Sequence, residues 1–132
     1  MLAAKYRFHG HGALKFLWGH GKTYRFKSMS VRVAHNPRRE HSRVAIVISK
    51  KVIKASPKRN RVRRRVYEVL RTNWGHIKPA HDLIISIYDP KFLDLPADEM
   101  TAEIKRALES AKVWSDSPQV SSNTSQEPKS VS

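Results

Sequence analysis

The chain has 132 residues, a formal net charge of +15, a pI near 10.6 and no cysteine. That length supplies one modest core rather than two, and the missing cysteine excludes a disulfide framework and a thiolate metal site. The charge is lopsided: residues 1–71 hold 20 Lys and Arg against Glu40 and Glu68, a net +18, whereas residues 72–132 are net −3.

In chain order, residues 1–12 are polar, contain Gly and His, and read as irregular. Ala13–Trp18 is a short apolar cluster closed by Gly19 and Gly21, which fits about two helical turns with a glycine stop. From Lys22 to His35 the pattern is extended, with Tyr24 and Phe26 alternating with cations, then Met29, Val31 and Val33 alternating with Ser30 and Arg32. The phase switches near Lys27-Ser28, which predicts a bulge or a break there. Asn36-Pro-Arg-Arg-Glu-His41 is a turn, and Arg43–Ser49 is an apolar, β-branched run that predicts a well-buried strand.

Ser56-Pro57 predicts the start of a helix, with Ser as N-cap and Pro at the first helical position. The helix should run to about Trp74, with Gly75 as its stop. Asp82–Tyr88 is a second buried strand, and Pro96-Ala-Asp-Glu opens a last helix whose Met100, Ile104, Ala107, Leu108 and Ala111 recur at helical spacing. Ser115–Ser132 is rich in Ser and lacks aromatics, as disordered tails are. The expected organisation is one domain over residues 1–114 with a tail over 115–132. Its fold class is α+β, a two-layer sandwich of a small sheet and helices.

The segment from Ser49 to Arg71 carries the strongest signal. With Val62 set to zero on a helical wheel, Val66, Val69 and Leu70 fall within about 80° of it and form a core seam. Asn60, Arg64, Tyr67 and Arg71 fall on the opposite side, with Arg61 and Arg63 flanking them and Arg59 near the N-terminal end. Guanidinium forks on a rigid surface suit phosphate, because they make paired charge-assisted hydrogen bonds. A solvated charged face is the ordinary alternative, but such faces mix signs, and Glu68 is the only carboxylate here. The expected partner is a nucleic acid.

Other chemistry finds little support. No segment pairs a long apolar face with a cationic one, no run approaches membrane-spanning length, and the start lacks a signal-peptide core, so a cytoplasmic protein is expected. His9-Gly-His11 has no acidic neighbour, and Asp82, Asp89, Asp94 and Asp98 lack the tight pairing of a nuclease metal site. Neither a catalytic residue nor a metal site is expected in the protein itself. A ribosomal or ribosome-assembly protein would share the charge and size, and a DNA-binding regulator would need a helix-turn-helix or zinc motif that is not visible.

Ser49-Lys50-Lys51 followed by Arg59-Asn60-Arg61-Val62-Arg63-Arg64 resembles the block found in the protein subunit of bacterial ribonuclease P. The resemblance runs over about residues 1–114, taking in Arg7-Phe8, the Leu14–Trp18 helix followed by Gly21-Lys22, the Asp82-led strand and the Glu99–Lys112 helix. Tyr67 stands where many members have another Arg, and Arg32 where an aromatic is frequent. The resemblance implies three helices on a small sheet with a left-handed βαβ crossover, against the usual handedness. It implies a protein that assembles with a large catalytic RNA and assists endonucleolytic removal of the 5′ leader of precursor tRNA. The RNA would carry the chemistry with Mg2+ at its own active site, so the protein would need neither a cofactor of its own nor an obligate protein partner.

The residues carried over for the catalytic RNA are Lys50, Lys51, Lys54, Arg59, Asn60, Arg61, Arg63, Arg64, Tyr67 and Arg71. Those carried over for the leader are Leu14, Trp18, Lys22, Arg25, Ser30 and Arg32. Leu14 and Trp18 share one helical face and Phe16 points elsewhere, so the cluster is divided between core packing and stacking on unpaired bases.

Overall fold

The computed structural model describes residues 21–37 and 41–115. The helix expected over 13–18 and, apart from Ser115, the tail expected over 115–132 lie outside them. Four strands, β1 (Lys22–Arg25), β2 (Met29–His35), β3 (Arg43–Ile48) and β4 (His81–Ile87), form one mixed sheet in the order β1-β2-β4-β3. β2 is antiparallel to both β1 and β4, whereas β3 runs parallel to β4. The helix α1 (Ser56–Thr72) is the crossover between those parallel strands, and α2 (Ala97–Ser110) packs beside it. The α+β class holds, with two α-helices among the described residues.

The phase switch at Lys27-Ser28 is a hairpin turn, closed by Phe26 N–H donating to Met29 O at 2.8 Å. Register then decides which residues share a face, because paired residues point the same way. Lys22, Val33, Leu83 and Val44 form one row toward the helices, and Tyr24, Val31, Ile85 and Ile46 form the next. The outer face carries the rows Thr23, Arg32, Ile84, Ala45 and Arg25, Ser30, Ser86, Val47.

β4 lies between two neighbours, and Asp82 to Ile85 are buried on both faces, as a continuous apolar run predicts. β3 has the same composition but sits at the edge, so Val44, Ile46 and Ile48 are buried while Val47 is 46% exposed. Burial on both faces fails for β3 because only its inner face packs on the helices. The two strands are tied at one end by Asp82, which is fully buried and accepts from Arg43 Nε at 3.1 Å, Arg43 Nη2 at 3.2 Å and Asn36 Nδ2 at 3.1 Å.

The core gathers the inner sheet rows with Val62, Val66, Val69 and Leu70 of α1 and Met100, Ile104, Ala107 and Leu108 of α2. The start of α1 differs in chemistry from the simplest expectation. Ser56 is the first residue of α1 rather than its cap; Ala55 caps it without a side-chain hydrogen bond. The helix stops at Thr72, where Asn73 turns its amide onto Val69 O at 2.8 Å, and a 3-10 turn over Trp74–His76 contains the expected stop glycine. α2 ends with Lys112 at φ 65°, and Val113 N–H donates to Leu108 O at 3.1 Å across it.

Candidate nucleic-acid interface

α1 carries Lys58, Arg59, Arg61, Arg63, Arg64, Arg65 and Arg71, with Glu68 as its only acid. Its first turn holds no carboxylate, although the positive end of a helix dipole favours one. α2 follows the ordinary pattern, with Asp98 and Glu99 in its first turn. One helix of the pair therefore breaks a local rule that the other obeys, which marks α1 as a surface selected for something besides stability.

The cations on α1 divide by what they touch. Arg59 donates to Ile53 O at 2.9 Å and to Lys54 O at 2.8 Å, clamping the loop after β3 against the helix. Ile53 anchors that loop in the core, so Lys50, Lys51 and Lys54 stand exposed beside the start of α1. Arg63 donates to Asn60 Oδ1 at 2.6 Å, and Arg71 holds Glu68 by contacts of 2.5–3.1 Å. Those contacts are the main cause that lowers the Glu68 carboxyl to about 2. Arg65 turns inward and donates to the carbonyls of Phe92 and Leu95, fixing the segment before α2. Arg61 and Arg64 are exposed, and among the described residues neither engages an acid or another side chain.

Tyr67 is a correction. The helical wheel sets it on the exposed ridge, but the ring is buried at 6% exposure within the core cluster. The buried arc of α1 is centred about 60° away from Val62, toward Leu70, and a large ring at its edge closes over the apolar stripe. A face buried in this way cannot stack on a base. Counting Tyr67 among the apolar residues of the stripe would have found this.

On the outer sheet face, Arg25, Ser30 and Arg32 come together in adjacent rows. Arg32 Nη1 donates to Thr23 Oγ1 at 2.6 Å, and Ser30 Oγ lies 2.7 Å from Tyr88 Oη. Lys22 does not join them. It is one residue out of phase, on the helix side, with its Nζ 5.3 Å from the centre of the Tyr24 ring. Leu14 and Trp18 lie outside the described residues. Tyr88, 44% exposed at the end of β4, belongs to this face and was not singled out from the sequence. Its signal was the outward phase it shares with Ser86.

Asp82 is engaged by Arg43 and Asn36 and is 0% exposed, which leaves no carboxylate edge for a metal. Arg25, Arg32 and the exposed Tyr88 phenol suit an anionic polymer, whereas the Ser30 hydroxyl, expected to contact the leader, is buried at 6% exposure against Tyr88.

The family model described as Ribonuclease P matches residues 2–112. The chain is 33% identical over 118 residues to the ribonuclease P protein component of a Synechococcus strain, covering 84% of this chain and 85% of that one. It is 38% identical over 84 residues to the same component of Clostridioides difficile, covering 60% and 72%. In fold, it is similar to the Staphylococcus aureus RNase P protein, with a TM-score of 0.72 and 23% identity over 83% of this chain and 97% of that one. The Thermotoga maritima RNase P protein gives 0.69 and 22%, over 79% and 96%.

Proposed function

Because the chain belongs to the ribonuclease P protein family, we propose that its two basic faces divide the work of a tRNA-processing ribonucleoprotein. The chain is an RNA-binding subunit of that endoribonuclease. α1 and the Lys50–Lys54 loop grip the catalytic RNA, with Arg61 and Arg64 as the principal phosphate contacts. The outer sheet face takes the single-stranded 5′ leader of precursor tRNA, with Arg25 and Arg32 following its phosphates and Tyr88 available to a base. A helix over 13–18 would wall that face and bring Trp18 and Leu14 to the leader, completing three helices around a left-handed crossover.

The RNA carries the hydrolysis, with Mg2+ bound in the RNA and none held by the protein. The protein's part is electrostatic and positional. It offsets phosphate repulsion during assembly, and it adds binding energy to the precursor that the mature product, lacking a leader, cannot draw on. The observation that carries this reading is α1 itself, a core-packed helix with seven cations, a single acid and two exposed guanidiniums free of acidic partners among the described residues.

The test is cleavage of a precursor tRNA by the cognate catalytic RNA at low Mg2+, with and without this chain. The expected result is cleavage that depends on the protein at low Mg2+ and loses that dependence at high Mg2+. A chain that co-purifies with ribosomal RNA and leaves precursor cleavage unchanged would favour the ribosome-assembly alternative.

A further inference from the structure

The turn of the β1–β2 hairpin and α2 enclose a groove of about 320 Å³ that neither basic face includes. Buried Met29 and Ala107 form its floor, and Lys27 and Arg106 stand exposed on opposite walls, with Ser110 at the rim. Glu103 borders the groove but is already engaged, accepting from Ser28 Oγ at 2.9 Å and from Lys91 Nζ at 2.7 Å. Lys91 thus answers its charge. Arg106, three residues further along α2, pairs neither with Glu103 nor with Glu109, and Lys27 makes no ion pair among the described residues. Two cations gathered at one groove with no acid free to pair with them repel each other, a local cost that marks a site for an anion.

The groove continues the outer sheet face. Ser28 O, at the turn, accepts from Tyr88 N–H at 2.8 Å, and Tyr88 Oη lies 2.7 Å from Ser30 Oγ on that face. Arg32, Arg25 and Lys27 follow one another toward the turn, with Lys27 about 7 Å of extended chain beyond Arg25. The other end of the face offers no such continuation among the described residues. Its next outward row is Ala34, Asp82 and Arg43, and Asp82 already holds that cation at 3.1 Å. Resting on the leader reading above, we propose that the Lys27–Arg106 groove binds a phosphate of the precursor leader, upstream of the nucleotides on the sheet. The strand passes over Arg32 and Arg25, rounds the turn at Lys27 and places one phosphodiester between Lys27 and Arg106, where Ser110 Oγ–H is a further donor. Such a contact is to the backbone, so it rewards leader length rather than leader sequence.

The test uses the assembled holoenzyme and precursor tRNAs whose leaders are lengthened one nucleotide at a time. Wild-type affinity should rise in two stages, first as the leader covers the sheet face and again as it reaches the groove. Lys27→Ala/Arg106→Ala should keep the first stage and lose the second, a drop of about tenfold for the longest leaders. Its salt slope for those leaders should be shallower by about 0.7, the step for one phosphate on a single strand. Ser110→Trp narrows the groove from an exposed position, keeps every charge, and should also remove the second stage. The proposal is overturned if wild type shows a single stage, or if the double variant matches wild type at every length. It is equally overturned if that variant weakens the shortest leaders or mature tRNA as much as the longest, or if Ser110→Trp keeps the second stage. Failure of the leader reading looks different: wild-type holoenzyme would then bind precursor and mature tRNA alike at every leader length.

Discussion

Asp82 shows how one residue can hold a sheet together. Its carboxylate joins the beginnings of β3 and β4 to the chain leaving β2, with Arg43 only 12% exposed beside it. Removing one partner strands the other's charge, so Asp82→Ala should destabilise the fold by about 3–5 kcal/mol, read as a lower urea midpoint. A loss below about 1 kcal/mol would mean that the pair is merely tolerated. Its neighbour His81 titrates in the opposite sense to a salt-bridged group. Burial chiefly lowers its pKa below 6.5, opposed by the hydrogen bond to Pro79 O and assisted by His35, whose ring centre is 5.0 Å away. The unfolded chain then takes up the proton first, so stability is complete above pH 6.5 and declines as pH falls through the lower folded value. Unfolding by urea across that window should show the decline in wild type and less of it in His81→Gln.

At the scale of elements, periodicity located the strands and helices but not their neighbours. Apolar β-branched runs look alike whether a strand is central or at an edge, so Val47 could not be told from Ile84. The hairpin between β1 and β2 was foreseen only as a change of phase, and Lys22, grouped with Arg25 and Arg32 through the resemblance, lies in phase with Tyr24 on the helix side. The wheel for α1 misplaced Tyr67 because its zero was set on Val62. What was legible in α1 was its charge, because sign is a property of composition and needs no register. The end of α2 offers a local test. Lys112 adopts φ 65°, where a Cβ is unfavourable. Lys112→Gly should raise stability by about 0.5–1 kcal/mol despite the added flexibility of the unfolded chain, seen as a higher Tm. An unchanged or lower Tm would show that the side chain contributes more than the strain removes.

For the whole molecule, the charge map decides how binding behaves. The net +18 of residues 1–71 spans the β1–β2 hairpin, the Lys50–Lys54 loop and α1, whereas α2 belongs to the acidic half. Binding to RNA should therefore be dominated by phosphate contacts, and log affinity should fall linearly with log salt by about 0.7–0.9 per phosphate neutralised. A flat response would remove the electrostatic basis of the function. The central claim is that two faces of one small domain do separate jobs, and a paired measurement tests it most directly. Affinities of Arg64→Ala and of Arg25→Ala/Arg32→Ala are measured for the catalytic RNA, and then, as assembled holoenzymes, for precursor and mature tRNA. Arg64→Ala should weaken assembly by about ten- to a hundredfold, the scale of one charged hydrogen bond, and leave the precursor-to-mature ratio unchanged. The Arg25/Arg32 pair should do the reverse, keeping assembly intact and bringing the precursor affinity toward that of the mature tRNA. If both variants weaken both steps equally, the faces are not separate and the division of labour is wrong.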